Sequence, residues 1–199
     1  MLYESQCYTG FFYGIIYLDG DICMDIKLLV FREVKPEDAR EWLILCNKVW
    51  RDAYSHIFPL EVFRELDNQL EERIKKFPDN FKNDNKTIAY VAEYDGKIVG
   101  IMRGSLNSPY EYFNSEYADL TVLYIDPKFQ GFGIGSSLKN IFVDWAIKNG
   151  ATKYVIGVLK DNIKARKVYE AWGGKLSEHK HDFIRLDVGY PEVFYTYNL

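Results

Sequence analysis

The sequence has few cysteines, and their spacing fits no disulfide or metal motif. Cys7, Cys23 and Cys46 are the only three among 199 residues, an odd number without a C-x-x-C pair. A disulfide framework is therefore not expected. Free thiols suit a reducing compartment, so the sequence predicts a cytoplasmic protein.

Long hydrophobic runs are lacking as well. The longest uncharged apolar and aromatic stretch, Tyr8 to Leu18, is much shorter than the roughly 20 residues that span a bilayer. Its N-terminal flank also lacks the basic residues of a secretory signal peptide. We therefore expect neither secretion nor a membrane partner.

The sequence has no excess of positive charge. Lys and Arg together number 25 against 29 for Asp and Glu, which gives a formal net charge of -4. Nucleic-acid binding calls for clustered Lys and Arg, so nucleic acid is not an expected partner. Aromatic residues are abundant instead, at 17% of the chain, which is typical of a thick core or of deep pockets.

Residues 1–27 differ from the rest because they are rich in Gly and aromatic residues, with a basic residue only at the last position. Asp19-Gly20 suits a type I′ turn between Phe11–Leu18 and Ile22–Val30, which predicts an extra hairpin. The alternative is a loosely attached extension before a working domain of residues 28–199. Such strands can extend their own sheet or that of a second copy, so monomer or homodimer stays open.

The remaining chain alternates between helical and strand patterns. Helices are predicted over 37–54, 60–77, 134–149 and 163–172, and strands over 28–34, 87–94, 97–105, 120–125, 154–159, 182–188 and 193–197. The strongest hairpin signal is Asp95-Gly96 between two alternating runs. The order of elements predicts a single α+β domain with one crossover.

A glycine-rich loop stands between a predicted strand and a predicted helix, at Gly131-Phe132-Gly133-Ile134-Gly135. A helix N-terminus behind such a loop is suited to bind phosphate, because its first N–H groups have no helical acceptor. A P-loop is excluded, since no Lys follows Gly135. A dinucleotide loop is disfavoured, since Ser136 stands where its third Gly belongs.

Residues 123–135, Leu-Tyr-Ile-Asp-Pro-Lys-Phe-Gln-Gly-Phe-Gly-Ile-Gly, resemble the acetyl-CoA signature R/Q-x-x-G-x-G/A of the GCN5-related N-acetyltransferases (GNAT superfamily). A second block resembles the family's N-x-x-A-x-x-(apolar)-Y…G segment. It consists of Asn162, Ala165, Val168, Tyr169 and Gly173. Gly133 and Asn162 are 29 positions apart, which suits one intervening helix and strand.

The resemblance implies a GNAT-like mixed, splayed β-sheet flanked by helices, with acetyl-CoA as co-substrate. The backbone of the strand would pair with pantetheine, and the loop would donate N–H groups to the pyrophosphate. The implied cofactor-binding residues are Leu123, Tyr124, Ile125, Gln130, Gly131, Phe132, Gly133, Ile134, Gly135, Ser136 and Asn162.

Two residues are the candidates for catalysis. Tyr169 matches the family's tyrosine and would donate a proton to the leaving thiolate, the alternative being a packing role on its helix. Asp119 matches a place where many members carry Glu and would act as general base, the alternative being a solvated carboxylate at a strand end. Glu116 is the second candidate for the base.

The amine site is expected around Trp50, Tyr54 and the segment 106–117. That segment places Glu111 and Glu116 among aromatic residues, which suits a cationic amine through ion pairing and cation–π attraction. The alternative is an ordinary hairpin loop. His179 and His181 have no third ligand nearby in the sequence, so we expect no metal.

The expected activity is transfer of acetyl to a primary amine of a small molecule, by direct attack in a ternary complex. No Cys or Ser stands in a recognisable nucleophile site, so an acetylated enzyme is not expected. The alternative is a non-catalytic acyl-CoA-binding sensor or partner module of the same fold. The sequence does not identify the amine.

Overall fold

The computed structural model describes residues 15–18, 22–80, 86–113 and 116–199. Within them the chain forms five helices: α1 (Ala39–Tyr54), α2 (Leu60–Asn68), α3 (Leu70–Asn80), α4 (Ile134–Lys148) and α5 (Ile163–Ala171). The strands are β1 (Ile15–Leu18), β2 (Ile22–Asp25), β3 (Leu29–Glu33), β4 (Thr87–Tyr94), β5 (Lys97–Ser105), β6 (Tyr117–Ile125), β7 (Lys153–Leu159), β8 (Lys175–Leu176), β9 (His181–Arg185) and β10 (Val188–Asn198). No helix in the described ranges is both long and apolar enough to cross a bilayer.

One mixed sheet carries the domain. Its strand order is β3-β4-β5-β6-β7-β10-β8, and β9 pairs with β10 outside this path. The strands pair antiparallel except β6 with β7, which are parallel because α4 forms the crossover between them. The expected single α+β domain with a mixed sheet is confirmed.

The N-terminal strands form a separate two-stranded sheet. β1 and β2 pair antiparallel with Leu18 opposite Ile22, so three residues connect the strands, one more than the two of a type I′ turn. The turn itself, at residues 19–21, lies outside the described residues. Met24 on β2 is buried in the main core.

β6 and β7 separate after a short paired stretch. They pair only from Tyr117 opposite Lys153 to Asp119 opposite Val155. Beyond that point β6 stays on β5 as far as Ile125, and β7 stays on β10 as far as Leu159. The result is a wedge-shaped gap, called the cleft below, between residues 120–125 and 156–159. The predicted splayed sheet is therefore confirmed.

A bulge in β6 lies where the cleft begins. Arg103 of β5 is opposite Val122 and Ser105 is opposite Asp119, so this stretch of β6 contains one residue more than the facing stretch of β5. The extra residue changes which side chains face each side of the sheet. Leu120 and Leu123 both pack towards α4, whereas Val122 and Tyr124 pack towards α1.

The two faces of the sheet bury different helices. α4 covers one face with Leu138, Phe142 and Ala146, and α1 covers the other with Trp42, Leu43 and Cys46. The cleft therefore has α4 on one face of the sheet and α1 on the other.

Two predicted elements were wrong in their limits. The predicted helix 60–77 is two helices, since Gln69 caps α2 before α3 begins, and α3 continues through Pro78 to Asn80. The predicted strand 182–188 is the end of β9, a turn and the start of β10. Leu186 and Asp187 form that turn with φ of 49° and 60°. This is the left-handed conformation, which the sequence Leu-Asp does not predict.

Replacing Gly104 by Ala tests how α4 is held on the sheet. A Cβ at Gly104 would overlap the ring of the buried Phe142 and lie 3.1 Å from the carbonyl oxygen of Asp119. We expect Gly104→Ala to lower the free energy of unfolding by about 1–3 kcal/mol in urea denaturation. In the double variant with Phe142→Leu the loss should be smaller than the sum of the single losses, by about 1 kcal/mol. Strict additivity would show that the ring and the glycine are not coupled.

Candidate active site

The edge of β6 that faces the cleft presents backbone polar groups. The Asp126 N–H donates to the Val99 carbonyl at 2.8 Å, which makes residues 126 and 99 a hydrogen-bonded antiparallel pair. Polar groups alternate along a strand, so those of Tyr124 face β5, and those of Leu123 and Ile125 face the cleft. The Gln130 side chain donates to the Ile125 carbonyl at 3.2 Å, which ties the loop to this edge.

The glycine-rich loop turns directly into α4. Gly131 and Gly133 have φ of 85° and 81°, a left-handed conformation that side chains with a Cβ rarely adopt. The first helical hydrogen bond runs from Ser137 N–H to the Gly133 carbonyl at 3.0 Å. The N–H groups of residues 134–136 thus precede the hydrogen-bonded turns and are suited to bind an anion.

The side chains of two predicted cofactor residues point away from the loop. Phe132 and Ile134 are 6% and 1% exposed and pack into the core with α4. Only their backbone is therefore in a position to contact a ligand at the loop.

Asn162 joins two helices at the cleft. Its Oδ1 accepts the Ala165 N–H at 3.1 Å and so caps α5, as its position in the sequence predicts. The same side chain interacts with the hydroxyl of Tyr54, at the end of α1, and lowers its pKa. The end of α1 and the start of α5 therefore lie close together beside the cleft.

Three tyrosine hydroxyls, from α1, β6 and α5, approach one another closely enough to interact electrostatically. Burial raises the pKa of Tyr169, and the neighbouring Tyr54 raises it further. Burial also raises the pKa of Tyr124, with Tyr54 and Tyr169 nearby, although the Trp50 Nε1–H donates to its hydroxyl at 3.0 Å. All three phenols therefore remain protonated at neutral pH.

Asp119 is the last residue of β6 before the cleft opens. It is only 2% exposed, and the Ser108 hydroxyl donates to its Oδ2 at 2.8 Å. Burial raises the pKa of this carboxyl to about 7 and outweighs the hydrogen bond from Ser108, which lowers the pKa, while the nearby Glu192 raises it by a smaller amount. Asp119 is therefore a buried carboxylate that gains and loses a proton near neutral pH, unlike the solvated alternative.

Glu192 is a second buried carboxylate that sequence reasoning missed. It lies on β10 and accepts the Tyr110 hydroxyl at 2.9 Å. Its Oε1 lies above Gly157 of β7, so close that a Cβ there would be 2.8 Å away. Burial raises its pKa, although Tyr110 and His181 oppose the shift. The only signal in the sequence is a charge on the same strand face as Phe194.

The two carboxylates and the tyrosines form a connected group. Glu192 raises the pKa of both Asp119 and Tyr54, and Tyr54 raises that of Tyr169. The two predicted catalytic residues are thus linked through Glu192 and Tyr54.

The predicted amine site divides into two aromatic clusters. Trp50 and Tyr54 pack with Phe58 and Tyr190, whereas Tyr110 packs against Phe194. Glu192 touches the second cluster and influences the first, so it lies between them.

The charged and imidazole groups of the loop region lie mostly on its outside. Glu111 and Glu116 are exposed, and Glu116 pairs with Lys153 at 3.4 Å. His179 stacks on Tyr112, and His181 meets the edge of the Tyr110 ring. The described residues contain no group of three or more His, Cys, Asp or Glu side chains that could hold a metal ion.

Comparisons with known proteins agree with this geometry. The family model described as the acetyltransferase (GNAT) family matches residues 44–173. An uncharacterized N-acetyltransferase of Methanocaldococcus jannaschii is 25% identical over 161 residues, which are 81% of this chain and 67% of the relative.

Solved structures share the fold. The PaiA N-acetyltransferase of Thermoplasma acidophilum, in complex with coenzyme A, has a TM-score of 0.62 at 17% identity, with 82% of this chain and 97% of that one covered. The protein yncA of Salmonella typhimurium, with its cofactor acetyl-CoA, has a TM-score of 0.56 at 16% identity, with 86% and 94% covered.

Asp119→Asn tests the burial of this carboxyl through stability. A carboxyl whose pKa rises from 3.8 to about 7 on folding stabilises the fold when protonated, and this contribution is lost as pH rises through that range. In urea denaturation we compare the free energy of unfolding of the Asn variant with that of the natural protein. We expect this difference to shift in favour of the variant by about 2–3 kcal/mol from pH 5 to pH 8. The exposed Glu111→Gln is the control and should show no such change. An equal difference at both pH values would contradict the shifted pKa.

Proposed function

The chain belongs to the GNAT family of acetyltransferases, and from this premise we propose that it transfers the acetyl group of acetyl-CoA to a primary amine of a small molecule. The transfer would be a direct attack of the amine in a ternary complex. The observation that carries the proposal is the cleft between β6 and β7, with an open strand edge along one wall and a helix N-terminus at its end.

The two parts of the cleft match the two parts of coenzyme A. The backbone of Leu123 and Ile125 would pair with the amides of pantetheine, as an added strand pairs with an edge. The N–H groups of residues 134–136 would bind the pyrophosphate at the start of α4. The coenzyme A and acetyl-CoA in related structures support this assignment.

Bound acetyl-CoA supplies a thioester, whose carbonyl carbon forms a bond to the amine nitrogen while the carbon–sulfur bond breaks and a thiolate leaves. The amine must be neutral to attack, so a base must take one proton from it. Asp119 suits this role, because its pKa of about 7 balances the ionised fraction against basicity at neutral pH. Glu192 would keep that pKa high and favour the ammonium form of the arriving amine.

Tyr169 would hydrogen bond to the departing sulfur. Its raised pKa keeps the phenol protonated and therefore available as a donor. Tyr197 fixes the Tyr169 backbone by donating to its carbonyl at 2.9 Å, and the ring packs against Trp172 and Tyr195. This packing supplies the fixed orientation that a proton donor needs.

Cys46 is a poor nucleophile, which favours direct attack over an acetylated enzyme. Burial raises the pKa of its thiol to about 12, so at neutral pH almost none is thiolate. Its side chain is buried in the cluster between α1 and the sheet.

Ser136→Glu tests where the pyrophosphate binds. An added carboxylate in the first turn of α4 favours the helix dipole but repels a bound anion. We expect acetyl-CoA affinity to fall at least about tenfold in isothermal titration, with an unchanged or higher melting temperature. Asn140→Glu adds the same charge to an exposed position further along α4 and should have little effect. Equal losses in both variants would reject the site, and no binding by the natural protein would reject the proposed function.

Tyr169→Phe separates an enzyme from an acyl-CoA sensor. If Tyr169 assists departure of the thiolate, its loss should lower kcat by about 10²–10⁴-fold in a thiol-release assay with amines, with acetyl-CoA affinity nearly kept. Tyr154→Phe removes a hydroxyl from a buried ring stacked on Tyr197 and is the control. Unchanged kcat in the Tyr169 variant would leave it only a packing role. Acetyl-CoA binding without thiol release for any amine would favour the sensor.

A further inference from the structure

A cavity of about 360 Å³ opens on the α1 face of the sheet, beside the cleft. Its walls come from α1 and α3, and its floor from Val122 and Tyr124 of β6. Trp50 and Tyr124 line it and are hydrogen bonded to each other, and Tyr124 also interacts with Tyr54 and Tyr169. The cavity is therefore next to the place where an acceptor amine would meet the thioester.

The cavity is lined by cationic side chains. Arg73, Arg103 and Arg185 line it together with Lys76, and no Asp or Glu is among its described lining residues. We call this cavity the arginine pocket. Its volume is within the range of small-molecule sites, at the lower end.

Two carboxylates on the neighbouring helices are engaged in ion pairs. Glu72 pairs with Lys76 at 2.6 Å, and Asp67 pairs with Arg51. Arg73 donates to the amide oxygen of Asn47 at 3.0 Å, a neutral partner, and forms no ion pair with a carboxylate in the described ranges.

Arg185 is the most informative residue of the arginine pocket. Its guanidinium carbon lies 5.5 Å from the centre of the Trp50 ring and 5.3 Å from that of Phe183, so two aromatic faces hold it in place. Its Nε is buried without a hydrogen-bond partner among the described residues. A buried donor in this state is costly, and a ligand oxygen would remove the cost.

Arg103 lies on β5, one strand away from the cleft. Burial lowers the pKa of its guanidinium, which means that the surroundings disfavour its charge. A bound anion would reverse that effect. Arginine is also the residue best suited to hold a carboxylate or phosphate through paired hydrogen bonds.

We propose that the arginine pocket binds an anionic group of the acceptor, so that the substrate is a small amine that also carries a carboxylate or a phosphate. This inference rests on the proposed function and names the class of its substrate. The two ends of such a molecule meet opposite charges, since the amine is drawn to Asp119 and Glu192 and the anion to the arginines. The sequence predicts a cationic acceptor, and in this proposal only the reacting amine end of the substrate is cationic.

The test compares matched amines in the thiol-release assay. The anionic probes are glycine, 4-aminobutyrate, 6-aminohexanoate and O-phosphoethanolamine, and their counterparts without an anion are butylamine and 1,4-diaminobutane. We expect kcat/KM to be at least about tenfold higher for the best anionic amine than for its counterpart, mainly through KM. The order of 4-aminobutyrate and O-phosphoethanolamine then tells a carboxylate site from a phosphate site.

Substitutions of the pocket arginines test whether the preference for anionic amines arises in the arginine pocket. Arg185→Gln and Arg73→Gln should each bring the ratio of the two kcat/KM values close to 1 while acetyl-CoA affinity is kept. Arg40→Gln removes an exposed arginine that pairs with Glu71 outside the pocket, and it should keep the ratio. A natural protein that prefers amines without an anion, or an unchanged ratio in both pocket variants, would overturn the inference.

Binding without turnover separates this inference from the proposed function. The same amines are titrated into protein saturated with coenzyme A, which cannot react. Binding of an anionic amine that Arg185→Gln abolishes supports the pocket, even if no amine releases thiol and acetyl transfer is rejected. Thiol release with amines that lack an anion, together with no binding of any anionic probe, overturns the pocket and keeps the transferase.

Discussion

The organisation of the molecule depends on the point at which two parallel strands stop pairing. Three residues of β6 pair with three of β7, and beyond Asp119 the bulge in β6 and the side chain of Glu192 over Gly157 take the place of further pairing. Parallel strands in a sheet normally satisfy each other's backbone groups along their length. Here the edge is left open, so it is suited to pair with an extended ligand, and the last paired residue, Asp119, lies at the apex of the gap.

Charge is distributed so that opposite signs are kept apart. The carboxylates of Asp119 and Glu192 are buried near each other, close to β7. Burial and the nearby Glu192 raise the pKa of Asp119 to about 7, so this carboxyl is about half ionised at neutral pH. The arginines stand on the α1 side of the sheet, against aromatic rings. Both groups lie on the face of the sheet opposite α4, because Asp119 alternates with Ala118 and Leu120, which pack towards α4.

The sequence was sufficient wherever the signal is local. The hairpin of β4 and β5 follows from alternation around Asp95-Gly96, and its strand limits agree with the structure at every end. The start of α4 behind the glycine-rich loop follows equally from local pattern. Glu192 and Arg185 escaped detection because their burial depends on partners more than 70 positions away, such as Tyr110 and Trp50. The break between α2 and α3 at Gln69 was missed for a similar reason, because no Gly or Pro marks it in the sequence.

The hairpin of β9 and β10 brings Arg185 and Glu192 to the site on one short stretch of chain. The segment that matches the family model ends at residue 173, before this hairpin begins. The proposed acceptor site therefore draws on both parts of the chain, since Arg73 and Asp119 lie within the matched segment and Arg185 lies beyond it. Under the proposed function, substitutions in this hairpin would change the choice of amine without altering β6, the glycine-rich loop or α4, because none of these three elements belongs to the hairpin.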